Sequence, residues 1–177
     1  MAWTWLLLAW ALGAMQIDPA SRAEFTLTTR WNQTLHGRFP HVEGRVEVDG
    51  DGLRRTYFKL EAGLVEIADS PRYSRLARGP RFFDATRYPQ IEFTSDPYPA
   101  ALLRDGGALD GELRLHGIQR RERFIVVPSS CDRPGIDCDI VAHGTVRRSA
   151  YGLNSWQMAL RESVVFTLRV RTREVPR

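Results

Sequence analysis

Apolar and polar side chains alternate through most of this chain in short stretches, and helical periodicity is nearly absent. Phe25, Leu27, Thr29 and Trp31 alternate with Thr26, Thr28 and Arg30, the pattern of a half-buried strand rich in β-formers. A second strand region runs from Leu35 towards Val48, broken around Pro40, with Val46 and Val48 inward; Asp49-Gly50-Asp51-Gly52 then makes a turn. Tyr57 to Ile67 reads as one long strand. Phe58, Leu60, Ala62 and Leu64 share one parity, Val65 and Ile67 the other. Glycine at the change of frame, Gly63-Leu64, predicts a β-bulge, and bulges supply the bend that sheet closure requires. Leu109 to His116 points Leu113 and Leu115 inward. Gly117 breaks the run, and Arg120 to Val127 returns as its hairpin partner with Phe124 and Val126 inward. Cys138 to Val146 alternates Ile140, Ala142 and Gly144 with Val141, His143 and Thr145. Ser163 to Thr172 is the cleanest strand, with Val164, Phe166, Leu168 and Val170 on one face.

One segment breaks the alternation. Ser70 can cap a helix, Pro71 suits its first position, and Gly79-Pro80 ends it, which predicts a helix over Pro71 to Arg78. The next residues, Arg81-Phe82-Phe83-Asp84-Ala85-Thr86-Arg87-Tyr88-Pro89, fit neither period. Adjacent phenylalanines there suggest an irregular plug driven into apolar space. Pro89 presses Tyr88 into extended geometry, and Ile91 and Phe93 then alternate with Glu92 and Thr94 as a strand. Many short strands, turns between them and one short helix predict an all-β fold: an antiparallel β-barrel of about eight strands.

The length of 177 residues suits a single domain with a sizeable core. The net charge of +4 is carried almost wholly by arginine, Lys59 being the one lysine. Scattered arginines make a solvated basic surface; Arg72, Arg75 and Arg78, at spacing three on the helix, read as a solvated flank or a headgroup contact.

Residues Ala2 to Ala14 are apolar apart from Thr4 and Gly13. The run is shorter than the ~20 residues a membrane span needs. It suits a signal peptide over residues 1–14, leaving a domain over 15–177. No Lys or Arg precedes it, and a buried N-terminal helix is the alternative. Cys131 and Cys138 flank the turn signal Pro134-Gly135. In a periplasmic or secreted protein they are expected to form a structural disulfide across a hairpin mouth.

No nucleophile elbow, phosphate loop or zinc-protease motif occurs, so an enzyme is not expected. His36, His41, His116 and His143 fall on separate predicted elements, which leaves no metal spacing. Asp84 and Asp110 read as turn residues. No basic-aromatic motif for nucleic acid is present. The strong feature is the inward apolar stripe. A barrel of roughly eight strands can be filled by such side chains or can hold one ligand in its lumen, and periodicity leaves both open.

Four pieces of the chain resemble one family. Phe82-Phe83-Asp84-Ala85 followed by Tyr88-Pro89-Gln90-Ile91-Glu92-Phe93 is similar to the signature of the YceI-like polyisoprenoid-binding family. Ile17-Asp18-Pro19-Ala20, Gly111-Glu112-Leu113-Arg114-Leu115-His116-Gly117-Ile118 and Arg148-Ser149-Ala150-Tyr151-Gly152-Leu153 match further pieces in the same order. The family's Arg-Asp-x-His-Leu run is absent: Tyr73, Ser74, Arg75, Leu76 and Ala77 occupy its place, and Ser21 replaces its early histidine. The resemblance implies a lipocalin-like barrel that stores, transports or shields a long-chain isoprenoid lipid of quinone or polyprenyl type. It implies no cofactor beyond that lipid. Phe25, Leu27, Phe58, Leu60, Phe93, Leu113, Leu115, Phe124, Val126, Ile140, Phe166 and Leu168 would line the lumen. Phe82, Phe83, Tyr88 and Tyr151 would line or close one end. An envelope interaction or stress module with a solid core and a basic surface, contacting a peripheral membrane or envelope protein, is the alternative. The oligomeric state stays open, a homodimer included.

Overall fold

A computed structural model of the protein describes residues 14–174. The apolar run read as a signal peptide lies outside them, except for Ala14. Twelve strands form one antiparallel sheet: β1 (Ala14–Ile17), β2 (Arg22–Thr29), β3 (Thr34–Phe39), β4 (Val42–Val48), β5 (Arg54–Glu61), β6 (Glu66–Ile67), β7 (Gln90–Ser95), β8 (Gly107–Leu115), β9 (Ile118–Val126), β10 (Ile140–Arg147), β11 (Leu160–Val170) and β12 (Thr172–Glu174). The helix α1 (Pro71–Arg78) forms as expected, its first turn capped by Ser70, whose side chain accepts from the Tyr73 amide. A second helix, α2 (Leu102–Asp105), is one turn long.

The pairings close on themselves. β4, β5, β7, β8, β9, β10 and β11 each bond to the next, and β11 bonds to β2. The chain from β1 to β2 then completes the ring, because β1 bonds to β4. Residues 18–21 bend this long strand, and Arg171 bends its partner where β11 passes into β12. The corner is held by Asp18 N–H on Arg171 O, at 2.8 Å, and by the Ser21 hydroxyl on the same carbonyl. Counting β1–β2 as one crossing strand, the ring has the eight members expected. The extra strands β3, β6 and β12 add to it outside, by antiparallel pairing with β2, β3 and β1.

Several expectations need correction. The predicted strand Tyr57 to Ile67 is not one bulged strand. β5 ends at Glu61, a 3-10 turn covers Ala62–Leu64, and β6 leaves to pair with β3. The turn buries Ala62 and Val65 and exposes Leu64, so the frame change is a change of sheet partner. Trp31 lies past the end of β2 and is 69% exposed, not inward. Val48 is half-buried, whereas Val46 is buried. Asp110 sits inside β8, paired with Arg123 at 2.6 Å, not in a turn. Asp84 is a turn residue, with φ of 46° and a carbonyl that accepts from the Arg87 and Tyr88 amides.

Packing against the barrel wall explains three glycines. Gly37 stands opposite Phe25, and Gly144 opposite Phe124; Gly111 lies diagonal to Phe93. A Cβ on Gly144 would stand 2.5 Å from the Phe124 ring, and one on Gly111 2.6 Å from the Phe93 ring. The rings occupy the space that side chains there would fill, so they lie against the wall rather than across the lumen.

Cys131 and Cys138 are joined, in the loop between β9 and β10, as expected. Two outcomes follow. Replacing both cysteines with serine should lower stability by about 2–3 kcal/mol, the chain-entropy value for so short a loop; urea unfolding of the two proteins measures it. Gly144→Ala should cost about 1–3 kcal/mol, because the Phe124 ring must turn off the wall. An unchanged urea midpoint would show that the glycine contact does not hold the ring.

Candidate functional site

The two ends of the barrel are built differently. One end is closed by aromatic rings. After α1, the amides of Phe82, Phe83 and Asp84 bond to Gly79, Ala77 and Gly79 carbonyls, which pin the irregular segment against the helix. Phe82 and Phe83 are buried, their ring centroids 4.9 Å apart at 83°. Phe83 meets Phe39 at 5.9 Å and Phe25 at 6.3 Å, edge-on, and Phe25 meets Phe166 at 5.8 Å. This is the plug that the adjacent phenylalanines suggested. Aromatic pairs of this geometry add ~0.5–1.5 kcal/mol each beyond area burial.

The motif Arg148 to Leu153 finishes that end. Arg148 begins a 3-10 turn, and Gly152, at φ of 70°, ends it in the left-handed region that glycine tolerates. The buried Arg148 guanidinium donates to the carbonyls of Arg161, Leu153 and Ser155 at 3.1, 2.9 and 3.1 Å. Its Nη2 has no hydrogen-bond partner among the described residues, and the guanidinium carbon stands 6.0 Å from the Phe82 ring. Burial lowers its pKa from the ordinary arginine value. Tyr151, fully buried, donates to Glu122 Oε1 at 2.7 Å, and burial together with that carboxylate pushes its hydroxyl pKa up. The motif is therefore a structural clamp on the loop before β11.

The other end opens into a cavity of about 520 Å³. Its wall is apolar: Met15 and Ile17 from β1, Val46 from β4, Phe58 from β5, Leu109 from β8, and Ala142, Leu168 and Val170 from β10 and β11. Leu103 of α2 and Ile136 of the disulfide loop stand at the entrance. Charges ring the opening. Arg104 and Arg133 are paired with Asp105 and Asp137 at 2.9 and 2.7 Å, and Asp132, Glu174 and Arg54 stand beside them. Inside the rim is a neutral polar pair: Tyr98 Oη lies 2.6 Å from Thr56 Oγ1, both buried. Arg54 and Tyr98 exchange backbone hydrogen bonds at 2.8 Å, which hold the tyrosine in place. Burial raises the Tyr98 pKa, and its bond to Thr56 and the charge of Arg54 pull the other way.

Below this cavity lies a second of only about 40 Å³, lined by Val42, Ile91, Leu60, Leu113, Leu115 and Phe166. Phe58, Phe93, Phe124 and Leu168 line both spaces and so stand between them. Phe93 and Phe124 meet edge-on at 5.1 Å. The lumen is thus open next to the mouth and filled by side chains further in.

The sixteen sequence-predicted residues divide accordingly. Phe58, Phe93, Phe124, Val126, Ile140 and Leu168 face the large cavity, and Leu60, Leu113, Leu115 and Phe166 face the small one. Phe25, Phe82 and Phe83 lie in the plug; Leu27 is buried core on β2. Tyr151 caps the closed end. Tyr88 stands apart, half-buried, its ring tilted at 59° to that of His116 with centroids 4.5 Å apart, and lines neither cavity. Met15, Ile17, Tyr98, Thr56, Leu103 and Ile136 escaped sequence reasoning. β1 is too short to show a period, and Tyr98 and Leu103 come from a proline-rich stretch that reads as a plain loop.

Such a molecule is a single antiparallel β-barrel whose described residues enclose an apolar chamber. The chain belongs to the YceI-like domain family, whose model matches residues 15–172. A polyisoprenoid binding domain from Saccharophagus degradans shares the fold at 14% identity, covering 93% of this chain and 99% of that one, with a TM-score of 0.68. Burkholderia cenocepacia BcnA does so at 17% identity, covering 87% and 98%, with a TM-score of 0.66. The Campylobacter jejuni YCEI protein covers 80% and 85% at 14% identity, with a TM-score of 0.58. At these identities the likeness is one of fold. No curated protein matches the chain. Among the described residues, no helix is long and apolar enough to cross a membrane.

The two buried tyrosines set an alkaline limit. Their folded-state pKa values lie above the unfolded value of ~10, so their hydroxyls stay protonated while the unfolded chain ionises. Stability is unaffected by them below pH ~10 and falls as pH rises beyond it. Urea midpoints between pH 8 and 11 should drop above pH ~10 for the wild type, and less steeply for Tyr98→Phe. Parallel curves for the two proteins would rule out Tyr98 as a source of the loss.

Proposed function

We propose that this protein binds an isoprenoid lipid in the open chamber and stores, carries or shields it outside the cytoplasm. The observation that carries the reading is the apolar-walled cavity of about 520 Å³, within the range of about 300–1,000 Å³ typical of small-molecule sites. Removing an apolar tail from water gains ~25 cal/mol per Å² buried, and the wall of this chamber offers such a tail almost nothing else to recognise. The shared fold with a polyisoprenoid binding domain supports the same reading. The Cys131–Cys138 bond fits an oxidising compartment, periplasmic or extracellular.

The rim favours an uncharged head of quinone type over a polyprenyl phosphate. Two of the three arginines at the mouth are already neutralised, and Asp132 and Glu174 add negative charge beside Arg133. Like charge near a phosphate is unfavourable. The Tyr98–Thr56 pair offers a neutral hydroxyl to a carbonyl oxygen. Among the described residues that line the chamber, the buried polar pair is Tyr98 and Thr56, and the reading is of binding.

Native mass spectrometry of protein recovered from the periplasm of an expression host, with thermal melts on adding a short-tailed quinone, tests the proposal. A lipid adduct should appear, and a quinone at a hundred times its Kd should add about 2.7 kcal/mol of stability. A bare mass together with an unmoved melting temperature would count against lipid binding.

A further inference from the structure

We propose that the closed end of the barrel is a docking face for an anionic lipid bilayer, built from Trp31, Trp156 and Met158 with Arg30 and Arg161 beside them. Trp31 is 69% exposed, Trp156 42% and Met158 87%. Single exposed apolar side chains are ordinary, but these three stand on two adjoining loops. Trp31 is in the turn between β2 and β3, and Trp156 and Met158 are in the loop before β11. The Arg30 amide donates to Ala159 O and its Nε to Gln157 O, both at 2.8 Å, and Arg161 donates to Asn32 Oδ1. The second loop is also fixed from within. Arg148 holds the Leu153 and Ser155 carbonyls, and the Trp156 carbonyl accepts from the Ala159 and Leu160 amides. Trp156 has φ of 67°, left-handed backbone that a large aromatic residue adopts only where its surroundings impose it. The strain falls on a residue whose side chain is left part-exposed, so burial in the barrel does not account for it.

The chemistry of the two loops selects the occupant. Residues 30–34 and 152–161 include two arginines and no carboxylate. Arg30 and Arg161 are exposed and have no ion-pair partner among the described residues, unlike Arg104 and Arg133 at the mouth. The acid next in sequence, Glu162, is engaged by the Ser149 amide. Tryptophan favours the headgroup level of a membrane, where its ring meets apolar chains and its N–H finds a polar partner. Each basic residue near an anionic surface tightens binding about fivefold. Met158 projects almost wholly into solvent. Such a side chain enters a fluid bilayer directly, whereas a protein partner would need a pocket shaped for it. β11 runs from Leu160, beside these loops, to Val170 in the chamber wall, so a docked barrel turns its mouth away from the bilayer. The docking face stands whether or not the chamber holds a lipid.

Flotation with vesicles tests this, using protein recovered from the periplasm of an expression host and vesicles of phosphatidylcholine, alone or mixed with phosphatidylglycerol. Binding should be roughly tenfold or more tighter to the anionic vesicles, two basic residues contributing about fivefold each, and should weaken as salt rises. Trp31→Ser, Trp156→Asn and Met158→Ser combined should abolish it; asparagine tolerates the positive φ at position 156. Arg161→Lys should keep the binding, and Arg161→Gln should lower it about fivefold. Where the triple variant does not fold, Met158→Asp, at a position 87% exposed, puts a carboxylate on the face and should lower binding to anionic vesicles severalfold. Equal binding to both kinds of vesicle overturns the docking face, as does undiminished binding by either folded variant. Absence of binding to both kinds of vesicle overturns it too. None of these outcomes bears on a lipid in the chamber, which native mass spectrometry reads separately.

Discussion

Whether this barrel has a lumen depends on where three phenylalanine rings go. Phe25, Phe93 and Phe124 point inward by strand parity, and three large rings at the centre of an eight-membered ring of strands would fill it. A glycine on the neighbouring strand gives each of them somewhere else to lie. Phe25 rests on Gly37 at the closed end, where the plug segment completes the filling. Phe93 and Phe124 rest on Gly111 and Gly144 and line the chamber. The same contact thus builds solid core in one half and chamber wall in the other.

Closure of the sheet is the second constraint. An open sheet would leave β4 and β11 with unpaired backbone, an edge available to other chains. The chain avoids this by bending one pair of strands at the same level. β2 and β11 belong to one wall, β1 and β12 continue them onto the next, and Ser21 and Asp18 satisfy the Arg171 carbonyl at the corner. The strand that closes the ring also supplies Met15 and Ile17 to the chamber, so closure and site are one structure.

The polar groups within the barrel serve its ends. Arg148 spends its donors on two carbonyls of the loop before β11, Leu153 and Ser155, and on that of Arg161 in β11, with its charge destabilised by burial. Replacing it would leave those carbonyls without a partner, which costs more than the bonds themselves contribute. At the mouth, Arg104 and Arg133 are held by neighbouring carboxylates. Net charge is therefore a poor guide to what the mouth attracts.

Most strands, α1 and the disulfide were legible in the sequence because their causes are local. Alternation sets which face of β7, β8 or β11 turns inward, Ser70, Pro71 and Gly79 bound the helix, and Pro134-Gly135 turns the chain between the cysteines. The plug was legible because adjacent phenylalanines fit no regular period. The partners of those elements were not. Gly63-Leu64 looks like a bulge, and only the pairing of β6 with β3 shows that the chain changes neighbours there. β1 exists because β4 and β12 flank it; four residues carry no period of their own. Above all, alternation says that a side chain points inward and is silent on how far the interior extends. Strand parity alone determined the list of inward residues. Which of them face space and which face one another was decided by distances across the barrel, between residues such as Phe93 and Phe124 that lie far apart in the chain.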